Sequence, residues 1–461
     1  MKKSRSEYLL KNTVIFTVGN LATKLISFFL IPLYTKVLTT YEYGIVDLII
    51  TIATVAVPIL SLNIMESVMR FNLDSGTDQD KITKIGIIVL LGAIFVGVFL
   101  IPICNFFPIL SGMGIYIYFY CMASTASQLF LCDLRGKELL VQYSIGNVIN
   151  TFLIGFFNII FLVQFKMGIH GYVLAYILSN VIVAFYALLV GHGYKAIKVR
   201  IDKKKMIEML KYSIVLIPNS FMWWIMNSSD HLMVTSMLGA AVNGIYAISY
   251  KLPTLISTFT GVFNQAWSYS AIKEKNSEDI GVYTNKVFKS MIGVIMLIGI
   301  GMMTFIKPFF KIYVTKEYFR AWKYSSFLII GCVYLALGTF MSTSYTVYKD
   351  SKGFLISGTF GAILNIILNW ISIPIMGAYG AAAATCISYI AVFVFRIFHT
   401  RKYIVYRIKT REFILGTIGL LCSFVLLYID NILAQIFQMI ILLGFVIIIR
   451  NIWLPYLKFL K

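Results

Sequence analysis

Unbroken apolar runs of about 20 residues recur along the whole chain, each long enough to cross a roughly 30 Å hydrocarbon layer as a helix. Ile85–Phe107 and Ile432–Ile449 are two of them. A membrane β-barrel would instead show alternating segments of about 10 residues, so the spans are helices. Charge content agrees: 13% of the 461 residues are charged and 59% are hydrophobic, whereas a soluble domain has about a quarter charged. The sequence therefore predicts an all-α polytopic membrane protein.

Fourteen spans are expected, at about 12–37, 43–65, 85–107, 114–132, 143–165, 169–191, 212–238, 242–270, 287–310, 324–347, 354–375, 378–398, 412–429 and 432–450. Cytoplasmic loops collect Lys and Arg. With both termini in the cytoplasm, only Lys36, Lys166, Lys307, Lys311, Lys316, Arg320 and Lys323 fall outside, and Lys24 and Lys251 lie within spans. The reverse orientation would invert this bias. The expected location is thus the inner (cytoplasmic) membrane. The net charge of +21 belongs to these orientation signals, and no nucleic-acid partner is implied. No cleavable signal peptide is expected, since the span after Lys2, Lys3, Arg5 and Lys11 lacks a short apolar core with a cleavage site. The largest loops, 66–84, 192–211 and 271–286, are too short for a soluble domain. Lys203, Lys204 and Lys205 read as an anchor against anionic membrane lipids. The six cysteines show no CxxC spacing and read as small packing residues.

The sequence repeats itself. Leu38-Thr-Thr-Tyr-Glu-Tyr-Gly44-Ile45 lines up with Leu238-Gly-Ala-Ala-Val-Asn-Gly244-Ile245. Gly146 and Asn150 align with Gly361 and Asn365, and Gly168, Gly171, Ala175 and Ser179 with Gly377, Gly380, Ala384 and Ser388. Spans 1–6 thus read as a copy of spans 7–12, a recurrent transporter plan of parallel repeats. The expected divisions are an N-terminal lobe at 1–191, a cytoplasmic linker at 192–211, a pseudo-symmetric C-terminal lobe at 212–400, and two further helices at 401–461.

An ionisable side chain in mid-span costs about 2.5–3.5 kcal/mol by insertion scales, so it should face a cavity or a partner. Lys24 in span 1, Lys251 in span 8, Asp230 in span 7 and Asp47 in span 2 are the candidates. The lysines suit an anion site and the aspartates ion coupling; structural pairing, for instance Lys251 with Asp230, is the alternative. His231 is expected to pair with its neighbour Asp230, and Glu66 with Arg70 at i,i+4. Pro32, Pro58, Pro218 and Pro253 lie in the same four spans, each removing a backbone hydrogen bond and permitting a kink. No Walker loop, G-x-S-x-G or H-E-x-x-H is present. The four histidines lack metal-ligand spacing, so no catalytic residue, cofactor or metal is expected.

The opening span followed by Leu38–Gly44, the Arg70-Phe71 pair, Asp230, and the Leu238–Leu252 stretch are similar to motifs of the Wzx-type polysaccharide flippases. That family shares a superfamily with MATE exporters and lipid II flippases. The resemblance covers the whole chain, departing at His231, where the family often has a basic residue. It implies a flippase that moves undecaprenyl-diphosphate-linked oligosaccharides across the cytoplasmic membrane by alternating access. Surface polysaccharide such as O-antigen, capsule or exopolysaccharide would be the product, with proton or sodium coupling and contacts to other polysaccharide-assembly proteins. On that reading Lys24, Lys251 and Arg70 bind the diphosphate end, Trp224 and Asn227 (with Trp223, Asn219 and Asn264 nearby) meet the sugars, and Asp230 and Asp47 couple the ion. A drug or cation exporter of the same fold should show a carboxylate-dominated cavity. A membrane enzyme such as a polysaccharide polymerase should carry a large external loop. A non-transporting scaffold would need no charged, proline-bearing spans.

Overall fold

The computed structural model describes residues 22–74 and 78–459, with side chains except at 219, 223, 226 and 451–459. The expected helix before residue 22 and the side chains of Asn219 and Trp223 lie outside the described residues. Everything regular is helical. In chain order the helices are α1 (22–37), α2 (Thr40–Leu60), α3 (Ile64–Asn72), α4 (Gln79–Gly97), α5 (Leu100–Phe106), α6 (Gly114–Gly136), α7 (Leu140–Asn158) and α8 (Gly168–Val190). There follow α9 (Lys203–Leu238), α10 (Ala240–Ser249), α11 (Thr254–Lys273), α12 (Ile280–Tyr313), α13 (Ala321–Val347), α14 (Ser351–Met376), α15 (Ala378–His399), α16 (Arg411–Leu427) and α17 (Ile432–Phe459). Among the described residues, ten helical segments are long and apolar enough to cross a membrane.

Helix starts follow local chemistry that hydropathy does not register. Thr39 and Glu42 form a capping box at α2: the Glu42 amide donates to Thr39 Oγ1 at 3.2 Å, and the Thr39 amide to Glu42 Oε2 at 2.9 Å. Asp202 caps α9 by accepting from the Lys205 amide, so the lysine cluster sits in the first turn of a 36-residue helix, not in a loop. Likewise Asp78 caps α4 and starts that helix ahead of the expected span.

Two expected spans are broken. Past Pro58, the chain turns at Ser61–Asn63 with left-handed backbone at Leu62 and Asn63 before α3 begins. The Asn63 amide donates to the Pro58 carbonyl at 2.8 Å. A second turn, at 250–253, separates α10 from α11 just before Pro253. The residue before a proline resists the α conformation, which suits the break to that point.

The chain forms two compact units, Met1–Gly244 and Ile245–Lys461. In the first, α6 packs against α8, α3, α5 and α2, and α7 against α8. Its core divides into a cluster around Ile45, Ile49, Ile117 and Cys121 and another around Val68, Ile85, Leu129 and Val183. A buried ion pair closes one end: Asp133 meets Lys137 at 2.7 Å and accepts from Asn72 Nδ2 and Thr83 Oγ1. Asp133 thereby ties α6 to α3 and α4. In the second unit α13 is the most enclosed helix, packing on α15, α11 and α12, while α14 lies on α15. Helices α16 and α17 pack on α12, and the Lys289–Glu412 pair at 3.2 Å ties α16 to it. Arg396 is buried in this unit. Its Nε donates to Ser357 Oγ and its Nη1 to the Gly338 carbonyl.

Both units use similar local devices. Glu138 and Lys349 each have φ 59° in the turn after α6 and α13. The following amides, Leu139 and Asp350, donate back to Leu134 and Tyr345 carbonyls. Asn150 on α7 donates to Asn180 on α8, and Asn365 on α14 to Thr385 on α15. The closest approach links the first pair of aligned segments. A Cβ on Gly44 would lie 1.8 Å from the Ala240 carbonyl oxygen, and one on Gly244 would lie 2.0 Å from that of Thr40. Neither carbonyl can retreat without disturbing its own helix. Gly44→Ala is therefore expected to cost about 2 kcal/mol or more, seen as a lower melting temperature of the purified protein. Gly92→Ala, where open space surrounds the site, should leave the melting temperature unchanged; equal behaviour of the two would refute the contact.

Candidate functional site: a buried acid–imidazole cluster

Asp47 lies on α2, one turn beyond the Gly44 crossing. His231 lies on α9, and Asn243 in the first turn of α10. The crossing brings these three together within the first unit. His231 Nδ1 and Asp47 Oδ2 are 2.7 Å apart, and Asn243 Nδ2 donates to the same carboxylate oxygen at 3.1 Å. Asn243 also reaches the Gly44 carbonyl at 3.3 Å. Asp230, next along α9, is buried and accepts from the His231 amide at 3.0 Å. Thr235 Oγ1 donates to the His231 carbonyl. One carboxylate, Asp47, thus meets the imidazole and a second, Asp230, holds the backbone amide of the same residue; the side chains of the Asp47–His231 pair are only 15% and 9% exposed. Histidine is the side chain that changes charge near neutral pH, so the cluster has the chemistry to take up and release a proton.

Helix α9 runs antiparallel to α2 and α3, and polar ties mark its length. Trp224 Nε1 donates to the Thr51 carbonyl at 2.9 Å. Ser67 Oγ donates to the Met209 carbonyl at 2.6 Å, and Lys205 Nζ stands 4.5 Å from the Phe71 ring centroid. The Trp224 indole, expected to meet sugar, therefore spends its N–H on α2. Its face stacks on Phe221, with ring centroids 5.7 Å apart.

The other expected residues are distributed differently. Asn227 is exposed on α9 and Lys24 on α1. Lys251 is half-buried in the turn between α10 and α11, in the second unit. Arg70 pairs with Asp74 rather than Glu66; at the end of α3 the pairing runs forward along the helix. His231 takes Asp47 across α2 as its side-chain partner, where pairing with adjacent Asp230 was expected; successive residues on a helix do not face each other. Asn243 and the Thr51 carbonyl were not anticipated. Asn243 lies inside the repeated Leu238–Ile245 motif, immediately before its glycine, so the repeat marked the segment without marking the side chain.

The cluster offsets the cost of placing these groups away from water. Asp47→Leu would remove the carboxylate that His231 and Asn243 share, at about 1–3 kcal/mol. In a double-mutant cycle with His231→Leu, the double variant is expected to melt no lower than the worse single variant. Additive losses would show that the two side chains do not act as a pair.

Residues 9–269 match the family described as polysaccharide biosynthesis protein. The chain is 26% identical over 273 residues to an uncharacterized membrane protein of Methanocaldococcus jannaschii, a match covering 54% of this chain and 62% of that one. Among solved structures, the lipid II flippase MurJ in an inward closed conformation superposes with a TM-score of 0.68. It is 17% identical, over 96% of this chain and 100% of that one. An inward-facing MATE-family multidrug resistance transporter of the MOP superfamily gives a TM-score of 0.65 at 11% identity, over 88% and 98%. These likenesses establish the fold, that of a multi-pass membrane protein.

Proposed function

Because this chain belongs to the polysaccharide biosynthesis protein family, we propose that it flips undecaprenyl-diphosphate-linked oligosaccharide units across the cytoplasmic membrane by alternating access. The membership itself makes it a membrane transporter of polysaccharide biosynthesis and not an enzyme. The observation that carries the finer reading is the family match over residues 9–269. It takes in Lys24, Asp47, Asp230 and Lys251, the ionisable residues that the sequence places within spans. A lipid diphosphate requires cations, and Lys24 and Lys251 supply them, with Arg70 near the cytoplasmic end. Asn227 and the face of Trp224 serve the sugars. Asp47 and Asp230 carry the coupling ion, and the imidazole bonded to Asp47 favours a proton over sodium.

In this reading the ten long apolar segments are joined by α1, α9, α10 with α11, and α16 to make fourteen passes, with both termini cytoplasmic. Two six-helix repeats, 1–191 and 212–400, are supported by the matching turns at Glu138 and Lys349 and the matching Asn150 and Asn365 bonds. The basic segment after α12 then lies outside. Near the end of α12, Lys307 pairs with Asp430, in the loop between α16 and α17, and stands 4.6 Å from the Trp322 ring centroid. Both loops thus share one side of the membrane. A cysteine at Lys316 should be labelled by an impermeant reagent in intact cells or spheroplasts, and one at Lys204 protected. The opposite pattern overturns the topology.

Export is tested in a strain lacking its own flippase, by surface polysaccharide at matched membrane abundance. A diphosphate is held chiefly by charge-assisted contacts, so Lys24→Arg should keep substantial export and Lys24→Ala should lose most of it. Full export by Lys24→Ala would remove α1 from the anion site.

A further inference from the structure

We propose that a recess of about 460 Å³ in the first unit, framed by the end of α1 and the starts of α2 and α8, binds the headgroup of an anionic phospholipid. Lys36 and Lys166 supply its cations, and Leu33, Leu162 and Val163 wall it with hydrocarbon. Among the described residues, no carboxylate lies within ion-pair distance of either lysine. Glu42 also lines the recess, with its Oε2 turned to the α2 cap, where it accepts from the Thr39 amide and hydroxyl; the two lysines outnumber this one carboxylate. Two cations beside an apolar wall match a phosphate ester carried on acyl chains.

The local backbone is shaped around this recess. Residues Ile159–Gln164 form a π-helical stretch in which the Phe165 amide reaches the Ile160 carbonyl. Such widened turns cluster at functional sites. Lys166 follows with a left-handed φ of 51°, which projects the cation at the corner before α8. The architecture does not demand that cation. The aligned corner at Gly377 has Ile375 where the first repeat has Lys166. Under the orientation proposed above, both lysines face the outer leaflet, against the usual bias. The lipid site itself depends neither on that orientation nor on what is transported.

The test uses the full-length protein in detergent, titrated with phosphatidylglycerol or phosphatidylcholine and read by native mass spectrometry. Wild type should retain phosphatidylglycerol preferentially, and Lys36→Gln with Lys166→Gln should weaken that retention about 25-fold, about fivefold per cation. The corresponding double arginine variant should match wild type. Val163→Trp, which fills the recess with the charges intact, should also lose the lipid. Equal retention of the two lipids, or undiminished preference in the double glutamine variant, overturns the site. So does displacement by an equal concentration of inorganic phosphate, which would make it a site for free anions. Export measured on the same variants separates this result from the flippase reading.

Discussion

A peptide group inside hydrocarbon has no water to bond with, so it must find its partner within the protein. That constraint makes the chain helical throughout, and it also governs every place where a helix stops. Each interruption described here resolves its backbone locally. The Asn63 amide returns to the Pro58 carbonyl, the Phe165 amide to Ile160, and the Thr254 amide to Tyr250. Prolines 58 and 253 weaken the helices, yet the chain turns beside them without leaving those amides unsatisfied.

The same accounting extends to side chains. Asp133 is almost wholly buried and holds three partners from three positions, and Arg396 holds two acceptors in the second unit. These groups read as fasteners. Each joins neighbouring helices within its own unit. The Asp47, His231 and Asp230 group differs in kind, because it pairs a carboxylate with an imidazole, at a helix crossing made possible by two glycines. Its chemistry is what a transporter can use, whereas Lys137 against Asp133 is a pairing with little reason to change.

Much of this was legible in the sequence. Apolar run length gave the class and most span positions, and the Gly44 and Gly244 motifs marked two segments that meet in the structure. What hydropathy could not see was capping. Thr39 with Glu42, Asp78 and Asp202 set helix starts through a few hydrogen bonds, which is why α9 reaches back over the lysine cluster. Pro58 and Pro253 marked kinks, but hydropathy did not show that the helices stop outright at Leu62 and Lys251, since apolar residues continue on both sides. For the site, intramembrane charge marked Asp47 and Asp230. Their connection through His231 and Asn243 depends on how α2 and α9 are set side by side, and no local pattern encodes that. Trp224 was singled out for its ring, while the structure uses its N–H.

The bond between Asp47 and His231 joins residues 184 apart in the chain. At about 5–20 residues per second, ribosomal synthesis takes roughly 10–40 s to cover that interval. For most of it α2 has been made, while the imidazole and the Asn243 amide do not yet exist. The nascent first helices therefore reside in the bilayer with an acid that has neither of these donors. Insertion, rather than the finished fold, is the stage at which this carboxyl group is most expensive. Its position, two turns from the start of α2, leaves it near the membrane edge during that wait.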